Sequence, residues 1–161
     1  MAQHPRLSLG LEPGSVMGVS DWTTLTQEDF NTFGKVTRDE DPMHTDPDWC
    51  AAHGPFPTTI SFGFFTLALL TGFSHQASPW PEGAYAINYG FDRIRFLAPV
   101  PVNSRVRGRF VFLGAEPRED GSFLSRMEVT VEIEGVEKPA LVAEWLGLVF
   151  PPEAQRRLDT R

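Results

Sequence analysis

The chain has 161 residues, 41% of them hydrophobic, and a formal net charge of -7. That length holds one domain with a full core, and the acidic balance argues against nucleic-acid or anionic-membrane partners, which want a basic field. Cys50 is the single cysteine, so no internal disulfide is available; with no basic start and apolar stretch of a secretion signal at the N-terminus, the expected compartment is the cytoplasm.

Residues 1–14 and 151–161 are polar or proline-containing and are expected to lie outside a core of about 15–150, the whole of 1–161 forming one domain. Thr26, followed by Gln27, Glu28 and Asp29, predicts a helix start with acids where they favour the dipole. Phe30 and Phe33 would form its apolar side and Gly34 would end it. Next comes the loop Asp39-Glu-Asp-Pro-Met-His-Thr-Asp-Pro-Asp48. Asp39 and His44 are out of register for one helical face, but Pro42 bends the chain, so their side chains can converge on one small volume. A carboxylate and an imidazole on one water can take a proton from it and return one to a carbon near neutral pH.

From Pro57 to Phe73 the chain is apolar on every side rather than along one stripe, which predicts a buried helix. Its run from Ile60 to Phe73 is shorter than the roughly 20 residues a bilayer span needs. Four further runs, 84–98, 102–114, 122–134 and 139–150, read as strands. In the clearest, Met127, Val129, Val131 and Ile133 alternate with Arg126, Glu128, Thr130 and Glu132, as in a half-buried strand. With no crossover-length helical pattern between them, an antiparallel meander is expected. The resulting class is α+β, one buried helix with a curved antiparallel sheet around it.

Read in order, Asp-x-x-Pro-x-His-x-Asp-Pro, a Gly-Pro-Phe loop, Thr59-Ile60-x-x-Gly63-Phe64-x-Thr66-Leu67-x-Leu69-Leu70 and Asn88-Tyr-Gly-Phe-Asp-Arg-Ile-Arg-Phe-Leu-Ala-Pro-Val-Pro-Val102 resemble the MaoC-like dehydratases over about residues 20–150. The likeness is strongest to the branch with (R)-specific enoyl-CoA hydratases and nodulation protein N-like proteins. It implies a single hot dog fold, a homodimer with sites between subunits, and reversible hydration of a trans-2-enoyl-CoA without metal or redox cofactor. Asp39 and His44 would be the catalytic pair, and the Gly63 N–H at the start of the core helix would hold the thioester oxygen. Thr71 falls where some relatives carry a hydroxyl; Asp41, where many carry Asn, is expected to hold the turn. Phe62, Phe64 and Phe65 are candidate walls of an acyl tunnel. Arg93, Arg95, Arg105, Arg107 and Arg109 form the one basic concentration, placed to meet coenzyme phosphates. Two departures, Arg38 where relatives often have Gly and Ser61-Phe62-Gly63 where they have Ala-His-Gly, bear on the acyl group rather than the reaction.

Two rivals remain at this stage: a hot dog thioesterase, which would release free thiol, and a non-catalytic acyl-CoA-binding dimer. A calcium EF-hand starting at Asp39 fails, because Met43, His44 and Cys50 fall where ligands or glycine are required. His44, His53 and His75 lack zinc spacing, and no phosphate loop or nucleophile elbow is present.

Overall fold

The computed structural model describes residues 11–77 and 82–152; residues 1–10 and 153–161, most of the termini expected to be peripheral, lie outside it. In chain order the elements are β1 (Val16–Val19), β2 (Thr23–Thr24), α1 (Gln27–Thr37), α2 (Pro42–Thr45), α3 (Pro47–His53), α4 (Gly63–Ala77), β3 (Tyr85–Phe96), β4 (Arg105–Pro117), β5 (Phe123–Ile133) and β6 (Val136–Phe150). No helix among the described residues is long and apolar enough to cross a membrane.

Thr26 caps α1 as expected, and reciprocally: the Asp29 N–H donates to its hydroxyl at 3.2 Å while the Thr26 N–H donates to the Asp29 carboxylate at 2.7 Å. Gly34, however, does not end the helix. It is buried within it, and a Cβ there would come within 2.8 Å of the Asp39 carbonyl oxygen and 3.1 Å of the Phe62 ring. The glycine is needed for close approach, while the reversal falls on Arg38, whose φ of 63° is left-handed. A side chain there costs energy that glycine does not. Arg38→Gly is therefore expected to raise unfolding stability by about 1 kcal/mol, read from the denaturation midpoint; a lower midpoint would mean that the Arg38 side chain stabilises the turn.

The stretch after α1 is less irregular than a loop. Asp41 accepts from the Met43 N–H at 2.8 Å and Asp46 from the Trp49 N–H at 2.9 Å. Each is followed by a proline at the first helical position, so the two Asp-Pro pairs start the short helices α2 and α3.

The sheet order is β1-β4-β5-β6-β3, with β2 also beside β4 and every pair antiparallel. β4, β5 and β6 form the expected meander, and Met127, Val129, Val131 and Ile133 are all buried. β3 breaks the sequence order by lying at the far edge against β6. Its connection to β4 passes the start of α4, where the Ser61 N–H donates to the Val100 carbonyl at 2.8 Å and the Val102 N–H to Thr59 at 3.0 Å. β1 and β2 are too short to leave a pattern in the sequence.

Helix α4 packs on β1, β4, β5 and β6 through Thr66, Leu70, Phe73 and Ala77, spaced as one helical stripe. The sequence is apolar all round this helix, yet in the single chain the opposite side is open, with Phe64 72% exposed and Ala68, Thr71 and Gly72 also at the surface.

Candidate active site

His44 lies in α2, and three neighbours hold it. Gln27, at the start of α1, donates from Nε2 to the His44 carbonyl at 2.9 Å and accepts from the Thr59 hydroxyl at 2.5 Å. The imidazole packs on Phe62 with ring centroids 3.9 Å apart. Its Nδ1 lies 2.7 Å from the Ile60 carbonyl oxygen. A carbonyl oxygen only accepts, so Nδ1 carries the hydrogen and the neutral ring keeps its lone pair on Nε2. That is the tautomer of a base with one free nitrogen.

The residue lines a cavity of about 410 Å³ together with Ser61, Gly63, Thr66, Phe96 and the 97–100 connection. Gly63 is the first residue of α4, where the N–H groups of the opening turn have no intrahelical acceptor and the dipole is positive. A Cβ on it would come within 3.2 Å of the Phe96 ring, so the glycine lets that ring close over the helix start. Ser61 and Thr66 were not singled out from the sequence. Their hydroxyls lie 3.1 Å apart, and Thr66 also donates to the Phe62 carbonyl at 3.2 Å. Their signals were polarity inside an apolar segment and their places in the Ser61-Phe62-Gly63 departure and the core-helix motif.

The other expected site residues are dispersed. Asp39 is exposed at the reversal after α1, its N–H donating to the Gly34 carbonyl at 3.0 Å, and it does not line the His44 cavity. Its carboxylate has no hydrogen-bond partner among the described residues. Asp41 caps α2 and takes no part in the cavity wall. Phe62 is buried between His44 and Phe33, Phe65 packs on Phe30 and Phe33, and Phe64 faces out, so none of the three lines either cavity described here. Thr71 donates to the Ala68 carbonyl at 2.9 Å and lines a second cavity of about 590 Å³ between the later half of α4 and strands β3, β5 and β6. Eight residues separate it from Gly63, about 12 Å along the helix.

The arginines do not form one patch. Strand order puts Arg93 and Arg95 on β3 and Arg105, Arg107 and Arg109 on β4, with β5 and β6 between. Arg105 pairs with Glu134 and Arg107 with Glu132, each at 2.7 Å, and both guanidinium groups lie over the Trp22 ring. Arg105 is thus already neutralised. Among the described residues no three His, Cys, Asp or Glu side chains gather to hold a metal ion.

Residues 9–136 match the family model for the MaoC-like domain. The chain is 47% identical over 136 residues to 3-hydroxyacyl-thioester dehydratase Z of Mycobacterium tuberculosis, covering 84% of this chain and 89% of the relative. It is 43% identical over 142 residues to nodulation protein N of Rhizobium meliloti, covering 87% and 88%. The solved (R)-hydratase of A. caviae superposes with a TM-score of 0.68 at 23% identity, covering 85% of this chain and 96% of that one, and shares its fold. The helix wrapped by an antiparallel sheet is accordingly the hot dog fold, and the chain belongs to the MaoC-like dehydratase family.

Proposed function

We propose that this hydro-lyase adds water reversibly to a trans-2-enoyl thioester of coenzyme A, giving the (R)-3-hydroxyacyl product. The observation that carries the proposal is the His44 tautomer: Nδ1–H is held by the Ile60 carbonyl, leaving Nε2 as the free base on a residue lining a cavity that also contains the start of α4. Asp39 is its partner in this proposal, a carboxylate that no other group among the described residues engages. The pair takes a proton from water as the hydroxyl adds to C3, and one of them returns a proton to C2. Between these events the N–H of Gly63 stabilises the enolate-like oxygen of the thioester. The chemistry calls for no metal or redox cofactor, and the acyl chain runs from the His44 cavity along α4 toward Thr71. Arg93, Arg95 and Arg109 form no ion pair among the described residues, and of these Arg93 and Arg95 on the β3 edge are assigned to the coenzyme phosphates; the compartment is the cytoplasm.

The test is loss of the conjugated enoyl-thioester absorbance of crotonyl-CoA with a thiol-trapping reagent present. Absorbance lost without thiol supports hydration, whereas released thiol identifies a thioesterase and tight binding without turnover an acyl-CoA-binding protein.

The working unit in this proposal is a homodimer. β3 is an edge strand whose Tyr85, Ile87, Tyr89 and Phe96 are 40 to 53% exposed, and the open side of α4 carries Phe64. Apolar edges of this kind are normally covered. A two-fold contact uses the same patch on both subunits, so Tyr89→Lys places a charge in it twice and is expected to shift the mass in light scattering from dimer to monomer. A monomeric parent protein would refute the assignment.

A further inference from the structure

Gln27 is the first residue of α1, and both polar atoms of its half-buried side chain are used. Nε2 donates at 2.9 Å to the Asn31 side-chain oxygen and at 2.9 Å to the His44 carbonyl, while Oε1 accepts from the Thr59 hydroxyl at 2.5 Å. The amide cannot be reversed, because the His44 carbonyl only accepts and would then face Oε1. Thr59 is fully buried, and Gln27 is the one hydrogen-bond partner of its hydroxyl among the described residues.

The sequence explains why α2 needs partners from outside. Pro47 has no N–H to offer the Met43 carbonyl four residues before it, and the His44 carbonyl lies at the end of the same short helix. The Ile60 N–H donates to the first at 3.2 Å, and Gln27 donates to the second. Residues 43–44 and 59–60 are thus joined at the Met43 carbonyl, at the His44 Nδ1–H on the Ile60 carbonyl, and through the Gln27 amide. The third link ties both segments to a separate element, α1, whose start is fixed by the reciprocal cap of Thr26 and Asp29.

Resting on the hydratase reading, we propose that Gln27 is a positioning residue for the reaction. It does not line the His44 cavity and acts through His44, by holding the His44 carbonyl and Thr59 at the spacing that keeps Nδ1–H on Ile60 and Nε2 free. A hydrogen bond of 2.7 Å leaves little slack: once the two segments drift apart it weakens, and the ring can rotate or take the other tautomer. Misplacing a reacting group by about 1 Å can cost about a hundredfold in rate. A merely structural Gln27 would do no more than satisfy the buried Thr59 hydroxyl, and the two roles separate when that hydroxyl is removed.

The experiment measures kcat and KM for crotonyl-CoA hydration, the urea midpoint and the nitrogen NMR shifts of the His44 imidazole. It compares the parent protein with Gln27→Met and with Gln27→Met/Thr59→Val. Gln27→Met should lower kcat by about tenfold or more with KM little changed, lower the midpoint, and move the His44 shifts from the Nδ1–H tautomer toward a mixture. In the double variant no buried hydroxyl is left unpaired, so the midpoint should recover while kcat and the nitrogen shifts do not. In a His44→Ala background, Gln27→Met should cost scarcely any further rate, since its effect runs through that ring. Unchanged kcat or unchanged nitrogen shifts in Gln27→Met overturn this inference and leave hydration standing. So does a kcat that recovers together with the midpoint in the double variant. A parent protein that hydrates neither crotonyl-CoA nor a longer enoyl-CoA overturns the hydratase reading and this role with it.

Discussion

Replacing His44 by alanine is expected to slow hydration of crotonyl-CoA by about 10²- to 10⁴-fold, the usual contribution of one positioned acid or base. The loss should fall on kcat with KM little changed, because in the proposed mechanism the imidazole acts on water and on the carbons rather than on the coenzyme. Asp39→Asn should cost a comparable factor. It is the cleaner test of the two, since Asp39 is exposed and its carboxylate makes no hydrogen bond among the described residues, so the change should alter stability by no more than about 0.5 kcal/mol. His44→Ala also removes the ring that packs on Phe62, and its folding must be checked separately. If the two side chains serve one water, the double variant should lose scarcely more than either single one. Parent-like rates in both single variants would sink the dyad.

Gly18→Ala is expected to destabilise the fold by about 3 kcal/mol, lowering Tm by roughly 6 to 12 °C, without touching the His44 cavity. A Cβ on Gly18 would lie 2.2 Å from the Ala77 carbonyl oxygen and 2.9 Å from its carbonyl carbon. The obstacle is backbone at the end of α4, not the tip of a side chain that can swing aside. Gly18 lies in β1, where the register against β4 shifts between Val16 and Gly18, so neither side can give without breaking pairs or moving the helix. Gly72 is the control: it lies on the open side of α4 with nothing within 4 Å of a built Cβ. There alanine should gain about 0.5 to 1 kcal/mol through helix propensity. Equal midpoints for the two variants would show that β1 is not clamped against α4.

The elements with a local cause were legible. The cap at Thr26 lies in four consecutive residues, and the strand from Arg126 to Ile133 declares its two faces by alternation. The α2 and α3 starts were equally local, since each Asp-Pro pair is a cap followed by a proline that needs no N–H, although the stretch reads as a loop when judged by composition. Gly34 misled for the opposite reason. Glycine suggests a helix end by its backbone freedom, whereas here the constraint comes from Asp39 and Phe62, which the chain brings back from five and 28 residues away.

The site divides along the same line. Asp39, His44 and Gly63 are candidates through the resemblance of ordered motifs to the family, and of the three His44 and Gly63 line the cavity while Asp39 does not. Residue type and order do not reveal that Ile60 would set the His44 tautomer, that Ser61 and Thr66 would share its cavity, or that Arg105 would be spent on Glu134 while Arg93 went to the opposite side of the meander. Caps, periodicity and apolar runs arise from neighbours within a few residues, so the chain carries them in readable form. Cavities and ion pairs arise from strand order and register, where one strand placed beside β6 instead of β4 changes every cross-strand partner it has.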